Sequence, residues 1–404
     1  MLIDWSFEGR QHGMRTNLKI ARFSVVLLAL GITACGGARA AAKTTATSRP
    51  DSSVTTTLPP STTAACSNAS EVAAWPLARR AAQLVVVPAQ ETDVNEVGPS
   101  VAAGAGGIIL FGSSAPSDLK SQLAAVEASE FEGVAPFVMT DEEGGEVQRM
   151  SNLVGSLPWP ATMTQTMNVT QVRSLAEQTA ARMAATGVTM DLAPVLDLAS
   201  GPGPDALHTD GPRSFSPVAS VAASYGLQFA LGLQAGGIIP VVKHFPGEGS
   251  ATANTDSAPA STPPLSVLEA ADLLPFEAAI KAGLPAIMVG NSSVPGLTKQ
   301  PSSLSSAVVT GLLRHQLGFQ GLVITDSLSA GAITAEGLSI PQASVEALEA
   351  GADMVLFTSS EPNSTTSQVV AAITSAVDAG AIPPDQLNGS VERVLALKKV
   401  SLCN

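Results

Sequence analysis

The chain is poor in aromatic residues, in cysteine and in basic clusters, and each shortage excludes a class of protein. Aromatic residues make up 4% of the 404 residues although 45% are hydrophobic, so small aliphatic side chains must supply most of the core. The three cysteines are too few for a disulfide-rich scaffold. The net charge is −13 and no stripe of Lys or Arg could bind a row of phosphates, which excludes nucleic acid as a partner.

Signatures of metal and nucleotide sites are missing as well. The four histidines are scattered, and none belongs to the i, i+4 pairs or Cys-x-x-Cys spacings that zinc sites use. The sequence has neither the Gly-x-Ser-x-Gly turn of serine hydrolases nor a phosphate-binding loop that ends in Gly-Lys-Ser or Gly-Lys-Thr. It therefore implies no cofactor and no metal.

The N-terminal segment has the features of an export signal. Three basic residues follow Met14, the apolar run 23–32 comes next, and Thr33-Ala34-Cys35 ends it. This order is typical of a signal peptide, and the run is too short to span a bilayer. We predict a signal segment over 1–35 with Cys35 as a lipidated residue; an ordinary signal peptide that happens to contain a cysteine is the alternative. Translation starts at Met1 or Met14.

Residues 36–70 are rich in Ala, Thr, Ser and Pro and are expected to form a flexible tether, because they have too little apolar surface to fold. The composition of 71–404 is globular. Cys66 precedes this region and Cys403 ends it, so an oxidising compartment favours a disulfide between them, with two free thiols as the alternative. The expected protein is an exported monomer on the outer face of the cell membrane.

Eight short apolar runs alternate with Ala-rich helical stretches in the globular region. The runs are Leu84–Pro88, Gly107–Phe111, Pro136–Met139, Val188–Leu196, Ile238–Val242, Ala286–Val289, Gly321–Ile324 and Met354–Phe357. This alternation predicts an α/β fold with a parallel sheet, and eight repeats favour a single (β/α)₈ TIM-type barrel. A doubly wound sheet would show the same alternation.

Polar residues follow five of the predicted strands, and their positions favour the barrel. In a barrel the carboxyl ends of all strands meet at one mouth, where active sites lie, whereas an open sheet would spread them along a line. The polar residues are Asp141, Asp197, Lys243-His244, Asn291 and Asp326.

Two of these strand ends carry side chains with clear chemical uses. Asp326 comes directly after an apolar strand, a position suited to a carboxylate nucleophile, although an Asp at this point can also cap the next helix. Lys243 and His244 precede a Pro-Gly turn and would point a cation and an imidazole into the mouth, where both could bind sugar hydroxyls.

A third cluster surrounds a pair of glycines. Asp141 and Arg149 flank Gly144-Gly145, which permits positive φ and a close approach of backbone to a ligand. A charged surface turn is the alternative. Arg213 adds a further cation at the predicted mouth.

Taken in order, these clusters resemble glycoside hydrolase family 3, in particular its β-N-acetylhexosaminidase branch, which includes actinobacterial lipoproteins. The resemblance covers roughly 77–400, and its motifs are Asp141–Arg149, Asp191–Asp197, Gly211–Phe215, Lys243–Gly247, Val294–Thr298 and Ile324–Leu328. It implies that Asp326 is the nucleophile of a retaining glycosidase. It also implies that the hydroxyls of the terminal sugar are held by Asp141, Arg149, Arg213, Lys243 and His244.

One departure from the family pattern concerns the proton donor. The branch usually carries an Asp-Ser-His sequence in the loop after the Lys-His pair, whereas this chain has Ala258 after Asp256-Ser257. Alanine cannot transfer a proton, and loss of a general acid/base typically costs about 10²–10⁴-fold in rate. Glu248 or Asp256 could be a relocated donor, or the substrate's leaving group could need little protonation.

The resemblance therefore implies an exo-acting enzyme that releases terminal β-N-acetylglucosamine from β-linked cell-wall or muropeptide glycans during peptidoglycan turnover. The alternative is a catalytically weakened lipoprotein that binds such glycans.

Overall fold

Eight apolar segments pair side by side as parallel strands and close into a barrel. The computed structural model describes residues 67–130 and 133–403. The predicted signal segment and most of the predicted tether, with Cys35 and Cys66, lie outside the described residues. The barrel strands are β1 (Val85–Gln90), β2 (Gly107–Phe111), β3 (Phe137–Thr140), β6 (Met190–Asp191), β7 (Ile239–Phe245), β8 (Ala286–Val289), β9 (Leu322–Ser327) and β10 (Met354–Leu356), and a hairpin is formed by β4 (Glu142–Gly144) and β5 (Val147–Gln148).

The ladder order confirms the predicted barrel and excludes the doubly wound sheet. Each barrel strand pairs with the next along the chain, and β1 pairs with both β2 and β10, so no edge remains. At the seam, Val86 lies between Gly107 and Leu356. Every predicted apolar run overlaps one strand, because strands buried on both faces need continuous apolar sequence.

Strand β6 is shorter than the predicted run Val188–Leu196. Only Met190–Asp191 pairs regularly, and the Ala193–Pro194 peptide bond beyond it is cis. Pro194 has no N–H to donate to a ladder, so regular pairing ends there. The chain continues beside β7 through an isolated bridge between Val195 and Lys243, which brings the next residues under the barrel mouth.

Helices cover the outside of the barrel. Capping boxes at Asn168 and Ser339 fix the starts of the helices Val169–Ala185 and Ile340–Ala350. None of the helices within 67–130 and 133–403 has the length and apolarity needed to cross a bilayer. The α-helices are α1 (Asn68–Ala74), α2 (Leu77–Ala82), α3 (Gly98–Ala102), α4 (Leu119–Glu127), α5 (Ser151–Val154), α6 (Pro160–Thr166), α7 (Val169–Ala185), α8 (Ala219–Ala235), α9 (Leu265–Ala270), α10 (Leu273–Lys281), α11 (Gly331–Thr334), α12 (Ile340–Ala350), α13 (Pro362–Asp378) and α14 (Pro384–Lys398), with a π-helix at Ala307–Gln316 and 3₁₀ turns at Val94–Val97, Gly211–Arg213 and Ser302–Leu304.

The last helix, α14, lies across the end of the barrel at which the strands begin. Arg393 and Ser390 of α14 both contact Asp353, which immediately precedes β10, at 2.8 Å. Lys398 donates to Gln83, just before β1, at 3.2 Å, and its ammonium lies 5.1 Å from the ring centre of Phe137, the first residue of β3. Helix α14 therefore closes the amino-terminal end of the barrel.

The two ends of the folded region meet at this closed end. The side chain of Asn68 donates to the carbonyl of Val400 at 2.9 Å and accepts from the N–H of Leu402 at 2.8 Å. Cys403 is in a disulfide. Its predicted partner, Cys66, lies outside the described residues, so this pairing stays a prediction.

Candidate active site

The carboxyl ends of the strands surround a cavity of about 480 Å³. Apolar side chains from several strands form part of its wall: Ile109, Phe111, Leu192, Met288 and Leu356. The cavity is also lined by all but one of the residues that the sequence predicted for catalysis and sugar binding, namely Asp141, Arg149, Arg213, Lys243, His244, Asp256 and Asp326.

Alternating cations and carboxylates form a continuous chain across one wall of the cavity. Lys243 Nζ lies 2.8 Å from Asp141 Oδ1 and 2.6 Å from Glu143 Oε1. Arg149 contacts the other oxygen of Asp141 at 3.1 Å. Arg213 donates to both oxygens of Glu143 at 2.8 Å, the paired geometry in which guanidinium binds carboxylate best. The order is Arg149, Asp141, Lys243, Glu143, Arg213.

The row of alternating charges keeps the buried carboxylates of Asp141 and Glu143 ionised. Burial raises the pKa of Asp141, but Lys243 and Arg149 lower it further, so its pKa lies well below the usual range. Burial likewise raises the pKa of Glu143, yet Arg213 and Lys243 hold it at about 2. Ionised carboxylates beside fixed cations are ready acceptors for substrate hydroxyls, with donors next to them.

The carboxyl of Glu142, in the first strand of the hairpin, fixes the backbone at Arg149, which directly follows the second strand. This carboxyl accepts the backbone N–H groups of Arg149 and Met150 at 2.7 Å and the side-chain amide of Gln148 at 2.8 Å, and burial raises its pKa to about 7. Gly145 has φ +61°, and an added Cβ would lie 1.9 Å from the ring of Trp159. The glycine pair thus allows the positive φ that the sequence predicted, and it also allows close packing.

His244 is fixed from behind by Asp197. Its Nδ1 lies 2.7 Å from Asp197 Oδ2, and its backbone N–H donates to the same oxygen at 3.0 Å. Burial and the charge of Arg213 lower the pKa of His244, which favours the neutral ring. Because Nδ1 faces a carboxylate, it carries the proton, and the opposite nitrogen Nε2 is left as an acceptor in the cavity lining.

Asp326 lies near the end of β9 and is half-buried. Burial raises its pKa, His244 and Lys243 oppose this rise, and the negative charge of Asp256 adds to it. Its Oδ1 accepts the N–H of Ser327 at 2.7 Å. Asn291, which the sequence placed at the mouth, instead lies behind this turn and donates to the carbonyl of Ser327 at 2.9 Å.

The two candidates for a relocated proton donor occupy different surroundings. Asp256 is exposed at the edge of the cavity. Glu248 is 1% exposed and is not among the residues that line the cavity. Its Oε1 accepts the N–H of Ser292 at 2.7 Å, and burial, then Asp326 and Asp197, raise its pKa well above the ordinary value. Ala258 does not line the cavity either.

Sequence reasoning missed Glu143 and Asp210. Glu143 lies in the same motif as Asp141 and Arg149, for which the sequence predicted roles in sugar binding. The feature that could have indicated Glu143 is the run of three consecutive acidic residues after one strand. Asp210 lies three residues before Arg213, and one ligand atom each from Asp210, Asp197 and His244 lie within 4.8 Å of one another. Both oxygens of Asp197 already accept N–H groups, so these residues form a hydrogen-bonded cluster better than a metal site.

Residues 77–397 match the model of the glycosyl hydrolase family 3 N terminal domain. The beta-hexosaminidase LpqI of Mycobacterium tuberculosis is 36% identical over 271 residues, which span 65% of this chain and 67% of that protein. A glycosyl hydrolase structure from Mycobacterium smegmatis aligns with a TM-score of 0.73 and 34% identity over 81% of this chain and 98% of its own. The beta-N-acetylhexosaminidase structure from Beutenbergia cavernae aligns with a TM-score of 0.74 and 30% identity over 81% and 100%.

Proposed function

Because the chain belongs to glycosyl hydrolase family 3 and is a glycoside hydrolase of the β-N-acetylhexosaminidase type, we propose that it is a retaining, exo-acting enzyme. Its proposed substrates are glycans of cell-wall origin that end in β-linked N-acetylglucosamine. The observation that carries the proposal is the placement of Asp326 in the same cavity as the chain of cations and carboxylates. One pocket thus offers a nucleophile and a set of partners for sugar hydroxyls.

The proposed reaction uses two carboxyl groups. The sugar's hydroxyls bind to the chain from Arg149 to Arg213, and Asp326 attacks the anomeric carbon. As the bond to the leaving oxygen breaks, Asp256 gives that oxygen a proton. Asp256 then takes a proton from water, which attacks the same carbon and releases Asp326. Two inversions retain the configuration.

Three features support Asp256 as the proton donor over Glu248. Asp256 lines the cavity, it is exposed to the space that a leaving group would occupy, and its charge acts on Asp326. Glu248 has none of the cavity contact that proton transfer to a substrate requires.

The nucleophile is tested with an aryl β-N-acetylglucosaminide. Asp326→Ala should remove turnover while sugar binding remains measurable by calorimetry. Proton NMR of the first product of the wild-type enzyme should show the β anomer. An α anomer as first product would refute the retaining mechanism, and equal turnover in both proteins would refute Asp326 as nucleophile.

The proton donor is tested by varying the leaving group. Asp256→Asn should lose about 10²–10⁴-fold in kcat/KM with a disaccharide, but far less with a dinitrophenyl glycoside, whose leaving group needs no proton. Glu248→Gln is the comparison variant. If Glu248→Gln shows the selective loss and Asp256→Asn does not, Glu248 is the donor. Ala258→His should raise the rate on the disaccharide if proton transfer limits it.

Ala258 also favours a second candidate function, a weakened enzyme that retains the pocket for glycan binding. Wild-type protein that binds a cell-wall disaccharide, with no turnover above Asp326→Ala on either substrate, would establish this alternative.

The proposed location is the outer face of the cell membrane. It rests on the sequence around Cys35. Cys35→Ala should move the protein from the membrane fraction to the soluble fraction of exporting cells. Membrane retention of this variant would contradict the lipid anchor.

A further inference from the structure

Behind His244 lies a second buried carboxyl that the proposed reaction does not use. Asp210 is buried in the connection between β6 and α8, and one of its carboxyl oxygens lies within 4.8 Å of a carboxyl oxygen of Asp197. Asp197 in turn contacts His244 Nδ1 at 2.7 Å. Asp210, Asp197 and the imidazole thus form a row that runs from the interior to the cavity lining.

Two adjacent carboxyl groups can hydrogen-bond to each other only if one of them keeps a proton. Asp197 accepts three N–H groups, two from His244 and one from Glu248 at 2.7 Å, and such donors favour the ionised form. Asp210 has a single long contact, 3.5 Å from its Oδ1 to Arg213, and its buried Oδ2 has no hydrogen-bond donor among residues 67–130 and 133–403. The proton therefore belongs on Asp210.

We propose that Asp210 is a positioning residue that keeps its proton and donates it to Asp197, so that Asp197 stays fixed as the acceptor of His244 Nδ1. The row Asp210–Asp197–His244 then sets both the tilt and the tautomer of the imidazole. Its Nε2 is held as an acceptor for a hydroxyl of the bound sugar. The role of His244 toward sugar rests on the proposed function, whereas the proton on Asp210 does not.

The charges around Asp210 agree with this assignment. Burial and the neighbouring charge of Asp197 raise the pKa of Asp210 to about 7, and Glu143 adds to the rise, while Arg213 and His244 oppose it. Burial raises the pKa of Asp197 to about 6 in spite of its three N–H donors. One proton is therefore shared by the pair at neutral pH, and the titration belongs to both groups together.

The kinetic test compares Asp210→Asn with Asp210→Ala. Asparagine keeps a donor for Asp197 and alanine does not, so Asp210→Ala should lose about 10- to 100-fold in kcat/KM, the usual effect of losing a hydrogen bond to a charged group. Asp210→Asn should keep at least a tenfold advantage over Asp210→Ala. Asp378→Asn, an exposed change on α13, controls for the lost charge.

The pH profile separates positioning from simple packing. With the dinitrophenyl glycoside, which needs no proton from Asp256, wild-type kcat/KM should fall as pH rises through about 7, because ionised Asp210 would repel Asp197. Asp210→Asn cannot lose a proton and should keep its rate to pH 9. The same alkaline fall in both proteins would overturn the proposal.

A second measurement does not need activity. A carboxyl whose pKa rises on folding stabilises the folded state fully below its unfolded pKa, here 3.8, and has lost this contribution once the pH passes its folded pKa, here about 7. Asp210→Asn should therefore become more stable relative to wild type between pH 5 and pH 8 in urea unfolding. A constant difference over this range would overturn the proposal, even if the protein proved to be a binding protein without turnover.

Discussion

Replacement of Glu143 by Gln should be the most destabilising single change in the wall of the cavity. Glu143 is 1% exposed and binds two buried cations, Lys243 at 2.6 Å and Arg213 through two contacts at 2.8 Å. Removal of one partner from a buried ion pair leaves charge uncompensated and costs about 3–5 kcal/mol. The lower end applies here, because Lys243 keeps Asp141 and Arg213 keeps the carbonyl of Thr209 at 3.1 Å.

The pKa of Glu143 leads to the same magnitude. A fall from 4.5 to about 2 on folding corresponds to about 3 kcal/mol at 1.36 kcal/mol per pKa unit. A carboxyl with a lowered pKa stabilises the fold above its unfolded pKa and loses this effect as pH falls through its folded pKa. The difference between wild type and Glu143→Gln should therefore be full at pH 7 and shrink between about pH 4.5 and pH 2.

The assay is urea unfolding of both proteins, at pH 7 and at the lowest pH where the wild type stays folded. At pH 7 the variant should lose about 3 kcal/mol, and its KM for the aryl glycoside should rise because both cations line the cavity. Glu361→Gln, an exposed change, is the control. A loss below about 1 kcal/mol, as for a surface ion pair, would refute the account of Glu143 as a buried bridge.

Three further changes probe other parts of the molecule. Gly290→Ala would place a Cβ 2.4 Å from Glu248 Oε1 and should lower the stability measured by thermal unfolding by about 1–3 kcal/mol. Gly98→Ala is the control and should be tolerated, because a Cβ at Gly98 meets nothing within 4 Å. Equal effects of the two changes would contradict the close packing of Glu248 against Gly290. Asp353→Asn removes the charge that binds Arg314 at 2.6 Å and Arg393 at 2.8 Å, and should lower the free energy of unfolding by about 3–5 kcal/mol. KM should stay unchanged, because Asp353 lies at the end of the barrel opposite the cavity. A changed KM would contradict that placement. Burial lowers the pKa of Lys398 to about 7, so above this pH the unfolded chain binds more protons than the folded chain, and wild-type stability should rise between pH 7 and pH 10. In urea unfolding, Lys398→Met should lack this rise. A rise of the same size in the variant would contradict the burial of the ammonium.

The strands could be predicted because each is a short apolar run that is buried on both faces. Polar residues after the runs were predicted at the mouth for the same reason. Asp141, Lys243, His244 and Asp326 do line the cavity, whereas Asp197 and Asn291 do not. The predicted run 188–196 is longer than β6, because it extends across Pro194, which has no N–H to donate to a ladder. Regular pairing stops at Asp191, three residues before Pro194.

Glu248 and Asp256 show where sequence reasoning reached its limit. Both are acidic residues on one loop, and their spacing from His244 does not say which one faces the substrate. Gly247 adopts φ +119°, and the following N–H of Glu248 binds Asp197, which directs Glu248 into the interior. That path depends on a contact 51 residues away along the chain, so local sequence could not predict it.

The sequence could not reveal the buried carboxyl pair of Asp210 and Asp197 for a related reason. Asp210 lies in an irregular connection, where no periodicity gives the direction of a side chain. Its neighbour Asp197 was expected at the mouth but faces the back of His244 instead. The chemistry of both residues depends on the proton that they share, and a shared proton requires a tertiary distance.

The contacts of Asn68 with Val400 and Leu402 bring both ends of the folded region to the amino-terminal side of the barrel strands. The cavity opens at the carboxyl ends of the same strands. Changes at the junction of the two ends therefore act far from the cavity, so they should alter the stability of the barrel and leave the contacts with sugar unchanged.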